Sequence, residues 1–84
     1  MSPEELAALE IGKEIDARGT ACPGPLLEAK KGIGAVKVGE VIEIKSNDKG
    51  SRQDISAWAK KVGHEFLGFI EADGHDRIFV RRKK

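Results

Sequence analysis

Cys22 is the single cysteine of this 84-residue chain, and it stands in Cys22-Pro23-Gly24-Pro25, where a turn runs into an apolar helical stretch. One thiol makes no intramolecular disulfide and fills no zinc site by itself. At a helix start, however, the aligned peptide dipoles favour the thiolate, which is the nucleophilic form. Pro23 and Pro25 have no N–H, so Gly24 and Leu26 supply the donors left in the first turn. Both prolines fix φ and hold the thiol rigidly outside that turn, and Gly24 has no side chain to shield it. The combination suits a thiol presented to another protein's active site more than one enclosing a small substrate. Arg18, four residues upstream, adds positive charge near the sulfur if the loop folds back. Lys30 and Lys31 lie too far along the helix to act directly. The competing reading is a small buried apolar cysteine, against which the two prolines argue.

Other candidates carry less chemistry. His64 and His75 are the only histidines, and both fall at turns distant in sequence from Cys22. Helix-end capping for His64 and a solvated hairpin for His75 are the simpler roles. No pair among these residues has metal-ligand spacing, so no metal site is expected. Asp48 either orients the Cys22 loop, contacts a partner, or only shapes a turn. Trp58 reads as the large core residue of a helix. Arg81-Arg82-Lys83-Lys84, with Lys60 and Lys61, is the most basic feature, usable for an acidic partner or weak RNA contact. A solvated terminal strand would look the same. A redox sensor lacks a resolving cysteine within the chain.

The elements that position these groups follow from periodicity. Ser2-Pro3-Glu4-Glu5 has the form of a capping box, which predicts a short helix over 3–10 with Leu6 and Leu9 on one face. A frayed terminus is the alternative. Residues 13–17 alternate polar and apolar as a half-buried strand does. Leu26, Ala29 and Ile33 fall at helical spacing, although Gly32 and Gly34 leave the helix end undefined. After a turn at 38–40, Val41 to Lys45 is a β-rich run. Asn47 to Ser51 is a loop, and Ser51 with Asp54 resembles a helix start. Ile55, Trp58, Ala59 and Val62 form the stripe of a second amphipathic helix, with Gly63 as its C-cap. Glu65–Ala72 and Arg77–Arg82 read as strands about a tight connection at 73–76. The order β-α-β-α-β-β predicts an α+β two-layer sandwich, with two helices on one face of a four-stranded mixed sheet.

The composition bounds the setting. The core must be mostly aliphatic, since Phe66, Phe69, Phe79 and Trp58 are the only aromatics. The formal net charge is +1, which argues against a polyanion binder as the chain's main design. No signal peptide or membrane-spanning run is visible. A lone free cysteine fits a reducing cytoplasm, so a cytoplasmic protein without membrane contact is expected.

Taken together, Ile15-Asp16-Ala17-Arg18-Gly19, the Cys22-Pro23-Gly24-Pro25 motif and Leu26-Leu27-Glu28-Ala29-Lys30 resemble the TusA/SirA-type sulfur carrier proteins. Gly39-Glu40, Asn47-Asp48, Asp54-Ile55 before Trp58, Gly63-His64-Glu65 and Asp73-Gly74 extend the resemblance over residues 13–82. It implies one βαβαββ domain at 13–84 after an N-terminal extension at 1–12, and a persulfide formed on Cys22 with no other cofactor. A cysteine desulfurase or rhodanese would load the sulfur. An acceptor protein would receive it for tRNA thiolation, molybdenum cofactor assembly or sulfur oxidation. Arg18, Pro23, Gly24, Pro25 and Asp48 are the supporting or partner-docking candidates. Many members have proline after the aspartate of the second loop, whereas Lys49 follows Asp48 here, a difference expected to alter partner choice. A monomer is expected, because partners must reach the thiol. Such a protein is co-substrate as much as catalyst, so calling it an enzyme is partly convention. The alternative is a small RNA-binding or regulatory module in which Cys22 is not catalytic. Near-neutral charge and the lack of an RNA-reading loop argue against it.

Overall fold

The computed structural model describes residues 2–19 and 24–84. Its two inner strands are β2 (Val41–Ser46) and β4 (His75–Arg81). Val41, Ile42 and Ile44 of the first, and Ile78, Phe79 and Val80 of the second, are buried on both faces of the sheet. Such near-continuous apolar runs are what a central strand requires. β1 (Ile11–Asp16) pairs parallel with β2, while β4 is antiparallel to both β2 and β3 (Glu65–Ala72). The sheet order is β1-β2-β4-β3, a mixed four-stranded sheet as the sequence predicts.

Ile42, Ile44, Ile78 and Val80 meet Ala29 and Ile33 of α2 (Gly24–Ile33) and Ile55 and Ala59 of α3 (Gly50–Val62) in the main core. Gly32 is buried in this layer, and a Cβ there would run into the Ile15 side chain of β1. The glycine that weakens the helix by propensity therefore lets it lie close to the strand. α3 departs from expectation at both ends. Its N-cap is Lys49, without a side-chain cap bond. Ser51 is instead buried, its hydroxyl 3.0 Å from that of Ser46. Val62 is 40% exposed, because Trp58 and Phe66 pack over that end of the core. Gly63 does cap the helix, with φ +87°.

The N-terminal residues form part of the structure. α1 (Pro3–Ala7) starts with the predicted capping box, Ser2 Oγ accepting from the Glu5 amide at 3.3 Å and Glu5 Oε1 from the Ser2 amide at 3.2 Å. It ends before the expected residue 10, since the chain must turn to begin β1 at Ile11. The division expected after residue 12 thus falls inside a strand. Leu6 is 1% exposed and forms a second cluster with Val41, Leu67 and Phe79 on the sheet face opposite α2 and α3. A register shift in β3 between Phe66 and Gly68 accommodates it, and Gly68 adopts φ +139° beneath Leu6. The β3–β4 connection is tighter than expected: Ala72 pairs with His75 around Asp73-Gly74, so His75 and Asp76 already belong to the strand.

Candidate functional site

The carboxyl ends of β1 and β2, the first turn of α2 and the β3–β4 turn share one end of the sheet, since Asp16 pairs with Lys45 and Ser46 with Asp76. Cys22 and Pro23 fall in the β1–α2 connection and lie outside the described residues. What frames them is described. The Ala17 amide donates to Lys45 O at 2.9 Å, extending the β1 ladder by one residue. Gly19, with φ +84°, then donates its amide to Asn47 Oδ1 at 2.7 Å. That bond ties the connection, three residues before Cys22, to the β2–α3 loop.

Arg18 is turned to its own strand. Its Nε and Nη2 each lie 2.8 Å from the two Asp16 carboxylate oxygens, and its backbone amide donates to Asp16 Oδ1 at 3.1 Å. These hydrogen bonds hold the Asp16 carboxyl far below the usual carboxylate range and raise the arginine. The positive charge expected near the sulfur therefore arrives as an ion pair, with little net field beyond it.

Gly24 begins α2 and is half-buried, and Pro25 behind it is fully buried. The first turn contains no acidic residue, so no carboxylate there opposes the dipole's preference for an anion. Leu27 is 52% exposed on the same helix, an apolar surface beside the connection. Asp48 shapes the neighbouring loop: its Oδ1 accepts from the Gly50 amide at 2.9 Å, and its amide donates to Ser46 Oγ at 3.0 Å. Asp48 thus sits next to the residue that holds Gly19.

Beside this loop lies a groove of about 280 Å³ lined by Asn47, Lys49, Arg52, Glu71, His75 and Asp76 among others. Arg52 lines it, with Nε and Nη2 each 2.7 Å from the buried Asp76 carboxylate and its guanidinium 4.2 Å over the Phe69 ring. Sequence reasoning missed this pair, having placed Asp76 in a turn. It also read Asn47 only as a turn former. An amide in a strand-to-helix loop was the available signal, but nothing local names Gly19 as its partner.

His64 is at the opposite end of the sheet, before β3. Its amide donates to Ala59 O at 2.8 Å, capping α3, while its Nδ1 accepts from the Lys83 amide at 3.1 Å. Burial, then the charges of Arg82 and Lys84, lower its pKa. His75 is at the end of the sheet where β1 and β2 finish, with Nδ1 3.1 Å from Asp73 O. Among the described residues no cluster of His, Cys, Asp and Glu is arranged to hold a metal ion. No described helix is long and apolar enough to cross a membrane.

A family model, Sulfurtransferase TusA, matches residues 13–82, leaving α1 and the start of β1 outside the match. The sulfur carrier protein TusA of Allochromatium vinosum is 34% identical over 73 residues, 87% of this chain and 96% of that protein. YrkF of Bacillus subtilis is 51% identical over 69 residues, 81% of this chain, but the chain spans only 37% of YrkF's length. Among solved structures, a SirA-like protein from Desulfitobacterium hafniense superposes with a TM-score of 0.75 at 27% identity, covering 86% of this chain and 99% of that one. The chain belongs to the TusA family of sulfur carrier proteins.

Proposed function

We propose that this carrier holds sulfane sulfur as a persulfide on Cys22 and relays it between two proteins. In loading, the Cys22 thiolate attacks the terminal sulfur of a donor persulfide. The donor's S–S bond breaks and its cysteine leaves as thiolate, so no external oxidant is consumed. In unloading, an acceptor thiolate attacks the terminal sulfur on Cys22, which now leaves. A thiol of lowered pKa is both a populated nucleophile and a good leaving group, which a two-way carrier needs. The observation that carries the reading is the start of α2 at Gly24, directly after Cys22-Pro23, with an acid-free first turn.

A cysteine desulfurase or a rhodanese is the proposed donor. The proposed acceptor is a protein of tRNA thiolation, molybdenum cofactor assembly or sulfur oxidation. The setting is a reducing cytoplasm, the protein acts as a monomer, and it needs no resident cofactor. Arg18, Gly24, Pro25 and Asp48 would shape or dock the thiol end. Intact mass after incubation with cysteine desulfurase plus cysteine tests this. A reductant-reversible gain of sulfur, absent in Cys22→Ser, is the expected result. A folded protein whose titratable thiol gains no sulfur from desulfurase, thiosulfate or polysulfide would overturn it.

A further inference from the structure

The end of the sheet opposite the carboxyl ends of β1 and β2 carries a second surface. Lys60 and Lys61 occupy the last turn of α3, where they complement the helix dipole. That role does not account for Lys37 and Lys84, which are exposed at the same end but off the helix. Nor does it account for Lys83, whose ammonium lies 3.7 Å from the Glu65 carboxylate that Arg81 also pairs with, and which stays exposed. The terminal segment is fixed in place. The Gly39 amide donates to Arg82 O at 2.7 Å, the Arg82 amide to Glu40 O at 2.9 Å and the Lys83 amide to His64 Nδ1 at 3.1 Å. The Lys84 side chain lies against Gly63. Two apolar side chains share this end, Val38 at 62% exposure and Val62 at 40%, half of the large exposed hydrophobics among the described residues.

We infer that this lysine-rimmed, valine-centred end is a docking surface for a protein partner with an acidic, apolar-centred face. The guanidiniums that would grip phosphates are already committed. Arg81 Nη1 is 3.0 Å from Glu65, and Arg82 donates to Val36 O at 2.5 Å and Lys84 O at 2.8 Å. The one tryptophan is half-buried and faces the His64 ring at 5.7 Å, so no open aromatic is offered to a base. Compact ammonium groups around exposed valines fit carboxylates around aliphatic side chains. A partner bound here leaves the β1–α2 connection uncovered, so the protein can be held by one end while the other exchanges sulfur.

Amide NMR titration with a glutamate-rich peptide containing leucines, and in parallel with oligouridine, tests the surface without requiring persulfide chemistry. The peptide is expected to shift residues 37–39, 60–63 and 82–84, with affinity falling as salt rises. Lys60→Glu with Lys61→Glu and Lys84→Glu should weaken it about tenfold or more, and Lys61→Glu alone by a graded fraction. Val38→Ser with Val62→Ser should weaken the peptide several-fold and leave oligouridine unchanged. Absent shifts, shifts centred on Arg18 or Lys49, or oligouridine binding these residues more tightly than the peptide would each overturn the inference. Persulfide loading from polysulfide should proceed equally with the peptide bound, and a failure to load at all would count against the carrier chemistry alone.

Discussion

Glu43 is the most exposed to scrutiny of the buried charges, because it sits in the central strand with a side chain only 3% accessible. Its carboxylate accepts from Arg77 Nη2 at 2.9 Å, and the guanidinium lies 5.4 Å from the centre of the Phe79 ring. That pairing raises the arginine's pKa. Removing one partner of a buried pair costs about 3–5 kcal/mol when the other charge stays dry. Arg77 is 32% accessible, so water can reach the vacated site and partly solvate the carboxylate. Arg77→Met is therefore expected to cost about 2 kcal/mol, below that range because of screening. Glu43→Gln keeps an oxygen acceptor for the guanidinium and leaves no buried charge, so it should cost about 1 kcal/mol or less. For a domain of this size the larger loss lowers the melting temperature by about 8–16 °C. The double variant should recover part of the Arg77→Met loss, giving a coupling of about 1 kcal/mol in a double-mutant cycle by urea denaturation. Equal losses in the two single variants, or strict additivity in the double, would refute the orphaned-carboxylate argument.

Leu6→Ala should destabilise by about 2–4 kcal/mol in thermal or urea melts, because it empties the second cluster although it precedes the family-matched residues. Asn47→Ala should release the Gly19 amide, seen as faster hydrogen exchange at that residue and slower sulfur loading, with stability changed by under about 1 kcal/mol. His64 has a lowered pKa in the fold, so its stabilising contribution is complete above its ordinary value of 6.5 and is lost as pH falls through the lower folded value. Melts between neutral and mildly acid pH should show this loss, and His64→Gln should flatten it. Asp16, held low by Arg18, should remain ionised well below the ordinary carboxyl value of 3.8, as carbon NMR of the carboxyl would report. Arg18→Gln should raise it only part of the way back, because the residue-18 backbone amide still donates to the carboxylate.

What the sequence made legible was whatever depends on neighbours along the chain. Alternation marked the strands, helical spacing marked α2 and α3, and the Ser2–Glu5 capping box and the Gly63 cap are local by construction. The misses share a different origin. Ser51 looked like a cap because its type and spacing allowed it, yet its hydroxyl is taken by Ser46 across the β2–α3 loop. Arg52 finds Asp76 24 positions away, and Asn47 finds Gly19 at a separation of 28. No periodicity specifies such partners, since they exist only after the strands have set their register. Gly32 shows the same limit in reverse, as a poor helix former chosen for a contact with a strand.

Net charge was misleading for a related reason. A sum of +1 argues against a strongly charged binding protein, but a sum has no direction. The fold places Lys37, Lys60, Lys61, Lys83 and Lys84 at one end of the sheet, where Glu40 and Glu65 only partly offset them. At the other end it mixes Asp16, Asp48, Glu71, Asp73 and Asp76 with Arg18, Lys49 and Arg52. Partners approaching a small protein respond to the local potential within about 8–10 Å at physiological salt, well short of the molecule's 29 Å long dimension. The lysine end therefore presents a positive sign that the sum conceals, while Asp16, Glu71 and Asp76 at the other end stand in ion pairs with Arg18 and Arg52. A carrier that meets two or more proteins can in this way distinguish the face that holds it from the face that exchanges with its thiol. The prediction that separates this from a uniform charge effect is directional: reversing the lysines should alter docking at their own end and leave loading by a neutral small donor unchanged.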